Sequence, residues 1–420
     1  MYKKQLHQDG FGHFLLFLLI VLVLGFIGFA GYKVSHDTKH AKSNLGDANS
    51  LDPMQKGLAL SNGQCTGTGT TTLTHAPMDI RDVGNIQPYG LTLDDHVTPV
   101  SHEYYYQVNQ SAPKDTYPVY ATADGVVVAV NHVDNAWDVE LSHSCTFQSS
   151  YNLLTSISPQ ITKGLPAGWG ANSNGDVHVA VKAGDVIGYV GGQSLDFELH
   201  DTTKTAGGLL YRTAYNNREP FKVNVVRPLD YFSQAVKAQV LTRYIRTAEP
   251  RDGKFDYDVD GTASGNWFLA GTNGYAGGNS IDGSTQYFVG HLALTPDYID
   301  PTAMAFSTGN FQGKSAQFAA KNITDWASIT PQSGVVKIQL AQRTYQKPDG
   351  SQWFNDYSTG ITMHGTVPKG TALIQMTGKQ TMKVEVFPSQ LPEQVNGFTG
   401  AAKIYNRGQD AHMVQSNNAT

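Results

Sequence analysis

Tyr117-Pro118-Val119-Tyr120-Ala121-Thr122-Ala123-Asp124-Gly125-Val126-Val127 is the stretch on which the reading of this chain turns. Small or β-branched apolar residues alternate with larger or polar ones, Asp124-Gly125 interrupts the run, and Val126-Val127 resumes it. Period-two alternation broken by Asp-Gly predicts two strands joined by a tight turn. Outward from there, further short apolar runs occupy 118–130, 138–141, 177–181, 186–190 and 195–199, separated by turn residues such as Gly184-Asp185 and Gly191-Gly192. One helix is expected over 229–244, entered at Pro228 and stopped before Pro250. From Arg251 a second block predicts strands at 254–259, 266–270, 285–294, 335–343, 361–367, 371–376, 381–387 and 401–405. That number of strands in one block fits a β-sandwich or a closed up-and-down barrel. The expected fold class is therefore mostly β, with one domain at 59–248 and a second at 251–408.

Composition narrows the setting. Of 420 residues only 15% are charged, 43 are Gly and 21 are Tyr, which excludes a coiled coil and a charged disordered chain. Thirty basic against thirty-five acidic side chains leave no cationic excess for phosphates, so nucleic acid is excluded as the main partner. Between Gly10 and Tyr32 there is no Asp, Glu, Lys or Arg. A helix of that length spans about 35 Å, enough for a hydrocarbon core of about 30 Å. The apolar run is longer than a signal-peptide core and ends in Gly28-Phe29-Ala30-Gly31 followed by Lys33, so it reads as a retained anchor. The expected order is a cytoplasmic tail at 1–9, a transmembrane helix at 10–32, a polar linker at 33–58, and a disordered tail at 409–420. The positive-inside count around the helix is ambiguous. The low charge of the remainder points to a single-pass membrane protein with its C-terminal domains on the extracellular side. Cys65 and Cys145 are the two cysteines of an exported chain and most simply form one disulfide. The alternative is two unrelated buried thiols.

Three landmarks in order carry a resemblance. The stretch 117–127 holds a strand ending Pro-Val-x-Ala and leading to Asp-Gly-x-Val. Val181-Lys182-Ala183-Gly184-Asp185-Val186-Ile187-Gly188 follows the pattern Val-x-x-Gly-Asp-x-Ile-Gly, and Leu195-Asp196-Phe197-Glu198-Leu199 falls where His-x-His-Phe-Glu would stand. Together they resemble the lysostaphin-type (LytM-like) zinc endopeptidases, the duplicated hybrid motif, over about residues 75–205. The resemblance implies a β-sheet domain and a zinc ion held by a His-x-x-x-Asp pair and the second His of His-x-His. It also implies acid–base histidines in a Tyr-x-His segment and at the first His of His-x-His. Three protein ligands leave one position for a water that becomes hydroxide near neutral pH.

Position by position, most of that set is replaced. His102 stands at the first ligand, Tyr106 where Asp is expected, Asn152 in the Tyr-x-His segment Tyr151-Asn152-Leu153, and Ser194 and Asp196 in the His-x-His. Asp196 could still offer zinc a carboxylate beside His102, so zinc is the one cofactor the resemblance admits and none is otherwise expected. Neutral Tyr is a poor ligand, and neither Ser194 nor Asn152 can move a proton near pH 7. His102 reads first as a loop histidine hydrogen-bonded beside Tyr104, Tyr105 and Tyr106, with metal ligation the alternative. His143 reads as a structural histidine near the cysteine. Tyr106, Tyr151 and Glu198 are expected to line what survives of the substrate groove. The expectation is a pseudoenzyme that binds or scaffolds at the cell wall, with peptidoglycan or another envelope protein as partner. An active endopeptidase with an atypical ligand set and a plain surface spacer are the alternatives.

In the second block, Gly265-Asn266-Trp267 near the first strand and Arg407 near the last are similar to lipocalin-like barrels, in which the guanidinium packs on the indole. Such a barrel could enclose a small apolar ligand or be filled by its own side chains. Two motifs are decoys. His102-Glu103-Tyr104-Tyr105-Tyr106 lacks the second His of a zincin helix, and Gly309-Asn310-Phe311-Gln312-Gly313-Lys314-Ser315 has the wrong spacing and context for a phosphate loop.

Overall fold

A computed structural model describes residues 47–133, 135–169, 173–278 and 286–408. The expected tail 1–9, membrane helix 10–32, most of the linker and the tail 409–420 lie outside the described residues. Among those described, no helix is long and apolar enough to cross a membrane.

Ten strands build the first domain: β1 (Val83–Gln87), β2 (Glu103–Gln107), β3 (Tyr117–Tyr120), β4 (Gly125–Val133), β5 (Ala136–Ser144), β6 (Phe147–Leu154), β7 (Ser156–Ile157), β8 (Asn174–Val181), β9 (Val186–Val190) and β10 (Leu195–Asp201). They form a seven-stranded sheet in the order β1-β2-β10-β6-β5-β4-β8 and a three-stranded sheet β3-β9-β7, with every pairing antiparallel. Between them lies one core containing Val119, Val127, Val139, Leu141, Phe147, Tyr151, Ile187 and Phe197. The motif residues earn their pattern through turns. Asp124 accepts from the Ala183 amide at 2.9 Å and from Lys182 Nζ at 2.8 Å, while Asp185 accepts from the Lys182 amide at 2.8 Å. Two distant Gly-containing turns are thereby clamped together.

Cys65 and Cys145 form a disulfide across a separation of 80 residues. Closing a loop of that size stabilises by about 4 kcal/mol in the chain-entropy description. The packed domain reaches further back than residue 59. A helix over Pro53–Leu60, capped by the Asp52 carboxylate on the Gln55 amide at 2.9 Å, lies so close to the β5–β6 turn that a Cβ on Gly57 would stand 1.3 Å from the Cys145 carbonyl. The helix expected over 229–244 is shorter, a regular α-helix only at Gln234–Val240. Its forward half is a single 3-10 turn at Pro228–Asp230, after which Leu73 donates to the Tyr231 carbonyl and accepts from the Ser233 amide, both at 2.9 Å, an isolated β-bridge that interrupts the helix.

The second domain resolves the sandwich-or-barrel alternative in favour of a closed barrel. Strands β11 (Gly265–Leu269), β12 (His291–Pro296), β13 (Met304–Phe311), β14 (Lys314–Ala320), β15 (Val336–Gln346), β16 (Thr362–Gly378), β17 (Thr381–Pro388) and β18 (Lys403–Asn406) follow one another around it. β18 closes the ring on β11. The interior is filled by Trp267, Leu292, Phe306, Ile338, Ile374, Met382 and other apolar side chains. Arg407 lies 4.3 Å from the Trp267 ring centroid, as the sequence pattern anticipated. Gly265 has φ +115, and a Cβ there would stand 2.1 Å from Asp258 Oδ1, so only glycine fits the first position of Gly-x-Trp.

Four expected strands change form, among them 285–294, which is a strand only from His291 onward after a 3-10 turn at Tyr287–Gly290. Residues 254–259 are not a strand; the Asp258 carboxylate instead accepts from the Leu210 and Asn266 amides at 2.9 and 2.7 Å, tying this connector to both domains. The runs 361–367 and 371–376 belong to one strand, β16, with a bulge where Leu340 faces Gly370 and Ala341 faces Pro368. The phosphate-loop decoy is the β13–β14 hairpin, with Gln312 and Gly313 both at positive φ.

Candidate functional site

Strand alternation creates the site. On β10, Leu195, Phe197 and Leu199 enter the core, which leaves Asp196, Glu198 and His200 on the opposite face of the large sheet. Across the ladder Asp196 faces Asn152 of β6 and Tyr104 of β2, Glu198 faces Ser150, and His200 faces Gln148. One strand further out, Glu140 of β5 is paired with Ser150. The residues that the resemblance singled out are thus brought together on one polar face, and Asn152 shares it with Asp196.

At its centre His102 Nε2 is 3.5 Å from Asp196 Oδ2, and the His102 ring stands edge-on to Tyr104 at 4.8 Å. Neither His102 Nε2 nor Asp196 Oδ1 has a hydrogen-bond partner. Burial draws the His102 imidazole down to about 4. Burial, reinforced by Asp138 and Glu198, pushes the Asp196 carboxyl well above the usual Asp range. Burial thus works against charge on both groups, which disfavours an ion pair between them. Tyr106 is bonded to Ser194, and burial first, then Asp196, raises its hydroxyl, so it stays a phenol.

A charged layer lies one rung along. Ser101 Oγ donates to Glu198 Oε1 at 2.7 Å, and His200 Nε2 is 3.6 Å from Glu198 Oε2. Burial alone would raise Glu198, but His200, His102 and Lys222 outweigh it and bring the carboxyl down to about 2. Lys222 Nζ, in a residue only 6% exposed, donates to Ser101 Oγ at 3.2 Å and Glu219 Oε2 at 3.0 Å. Tyr275 of the second domain donates to Glu219 Oε1 at 2.9 Å, completing a part-buried chain between the domains.

The donor set does not fit the zinc that the resemblance implies. His102 and Asp196 offer two converging donors, and the third position holds a neutral phenol where a structural or catalytic site requires an anion or imidazole. Among the described residues no group of three His, Cys, Asp or Glu side chains is placed to hold a metal ion. Of the expected groove residues, Tyr151 is in the core, its hydroxyl 2.8 Å from Thr122 Oγ1. Glu198 is held by Ser101, and Tyr106 packs into an aromatic cluster with the second domain. His143 is satisfied on both nitrogens, by the Asp124 carbonyl and Ser149 Oγ, each at 2.9 Å. It borders an open trough of about 430 Å³ beside Cys65, Asp124 and Lys182, away from the His102–Asp196 pair. Sequence reasoning missed Ser101, Lys222 and Glu219, whose roles arise only from tertiary placement.

No protein-family model matches the chain, and no curated protein matches it. Among solved structures it is similar to Csd3 of Helicobacter pylori in an orthorhombic crystal, at 19% identity and a TM-score of 0.23 over 39% of this chain and 36% of that one. A zinc-containing peptidase from Vibrio cholerae is similar at 18% identity and a TM-score of 0.20, over 32% of this chain and 40% of that one. The solution structure of lysostaphin is similar at 10% identity and a TM-score of 0.24, over 80% and 92%. The chain spans little more than a third of the length of the Csd3 structure it matches. These likenesses are distant.

Proposed function

We propose that this chain is a membrane-anchored, non-hydrolytic protein of the cell envelope, in which a LytM-like domain has become a scaffold. The observation that carries the reading is the buried His102–Asp196 pair, 3.5 Å apart and with charge disfavoured on both groups, with Tyr106 and Ser194 filling the positions of a ligand and an acid–base group. Hydrolysis of a peptide bond needs an activated water and a proton carrier, and a neutral phenol, an amide and a hydroxyl supply neither. The anchor is the apolar segment 10–32, the domains stand on the outer side, and the partner is cell-wall peptide or another envelope protein. The second domain is read as lipocalin-like in architecture, supported by Arg407 packed on Trp267, with a filled interior in place of a ligand cavity.

Metal analysis of the purified full-length protein, paired with incubation on cross-linked muropeptides, tests this reading. The expected result is zinc far below one equivalent, unchanged in His102→Ala and Asp196→Ala, and no cleavage. Stoichiometric zinc lost in both variants, with muropeptide turnover, overturns it.

A further inference from the structure

The barrel carries one disproportionate element. Six of its strands run 4–8 residues, but β15 has 11 and β16 has 17, so their hairpin overshoots the ring. The connecting loop lands on the outer face of β1 and β2. There Trp353 and Ile361, with Tyr298 and Ile299 from after β12, are buried in one cluster with Tyr104, Leu91 and Val100, and Tyr106 and Tyr345 pack against it. The rings run in series, Tyr104 to Tyr106 at 6.2 Å, Tyr298 to Tyr345 at 6.1 Å, and Tyr345 to Trp353 at 5.8 Å.

Beside this aromatic contact, Asn355 makes the polar one. Its carbonyl accepts from Asn85 Nδ2 at 2.7 Å and Gln110 Nε2 at 2.9 Å, and its Oδ1 accepts from Gln87 Nε2 at 2.5 Å. Tyr298 donates to the other end of the Gln87 amide at 3.1 Å. Asn355 sits at φ +67, a conformation Asn tolerates better than most residues, so the loop is shaped to present these groups. A surface that faced solvent to receive passing peptides would not be matched group for group by another part of its own chain. The match covers the same residues at which β2 departs from the metal-binding pattern.

We infer that the β1–β2 face carrying Asn85, Gln87, Tyr104 and Tyr106 is an intramolecular docking surface, occupied by the overshooting β15–β16 hairpin of the chain's own barrel. The inference rests on the non-hydrolytic reading and deepens it. With the hairpin seated, no extended peptide can lie across β2, so the scaffold meets its partners on other surfaces. Tyr106 has exchanged a ligand's place for a seat in the interdomain contact.

The test uses the full-length protein and reads domain coupling directly. Wild type is expected to melt in one calorimetric transition and to resist proteolysis in the 241–264 connector. Tyr104→Ala/Tyr106→Ala is expected to split the transition in two and to raise connector cleavage about tenfold. Tyr106→Phe, which keeps the ring, is expected to behave as wild type. Trp353→Ala/Asn355→Ala attacks the contact from the barrel side and is expected to give the same splitting, which decides the matter if the first variant does not fold. One unsplit transition with wild-type cleavage in the folded variants, or a single lowered transition, overturns the inference. Zinc content separates the two claims: stoichiometric zinc defeats the non-hydrolytic reading alone, and unsplit melting defeats the docking alone.

Discussion

Arg407 on Trp267 and His102 beside Asp196 are both polar groups buried against aromatic rings, and the molecule provides for them in opposite ways. Arg407 sends Nη2 to the Val259 and Thr262 carbonyls at 2.8 Å each, Nη1 to the Ser264 carbonyl and Nε to Gln380 Oε1 at 3.0 Å. Its charge is met on every side, with Asp258 3.9 Å away. His102 and Asp196 each keep an atom with no partner, and burial works against charge on both. A buried charge is stable when acceptors surround it; without them burial favours the neutral form. The first pair is a charge fully provided for, and the second is a pair of buried groups left short of partners.

Removing Arg407 is the strongest way to break that comparison. Arg407→Ala strands three carbonyls and Asp258 and opens a gap over Trp267, and denaturant unfolding is expected to register a loss of about 3 kcal/mol in the barrel. A loss below about 1 kcal/mol would put Arg407 in the same class as His102. A second measurement sharpens the sheet face. Burial first, with Glu140 adding, raises Asp138 from 3.8 to about 7, against the Leu153 amide that it accepts from at 3.3 Å. The folded chain therefore retains a proton that the unfolded chain releases, so this contribution is intact below 3.8 and declines as pH rises to about 7. Asp138→Asn is expected to flatten stability across that window, removing a slope of up to about 1.4 kcal/mol per pH unit. An unchanged slope would mean that Asp138 is ionised in the fold. The smallest effect is expected from Asp196→Asn, which is close to isosteric and removes a charge that burial already disfavours. Its stability at pH 7 should match wild type within about 0.5 kcal/mol, whereas an ionised Asp196 paired with His102 would cost several times that.

What could be read from the sequence divides along the same line. Asp124-Gly125 and Gly184-Asp185 announced their turns because the residues that shape a turn sit inside it, and Gly265, Trp267 and Arg407 announced the barrel seam for a similar reason. The positions of His102, Tyr106, Asn152, Ser194 and Asp196 were legible only through the resemblance, and the sheet brings Asn152 and His102 beside Asp196. Lys222, Ser101 and Glu219 were not, since nothing local marks a lysine that will be buried against a serine of a strand far away in sequence. The helix over 229–244 was read too long because its opening turn obeys a pairing with Leu73, a partner no local window contains. β16 was read as two strands because Pro368 and Gly370 look like a stop, whereas a bulge lets the ladder pass through them. The docking loop was invisible for the same reason as Lys222.

The ring of eight strands has a keystone. β18 has four residues and is hydrogen-bonded to β17 on one side and β11 on the other. A chain ending just before Lys403 would leave two raw sheet margins facing water, each offering a ladder of unused amides and carbonyls to its neighbours in solution. The shortest strand of the barrel covers both margins at once.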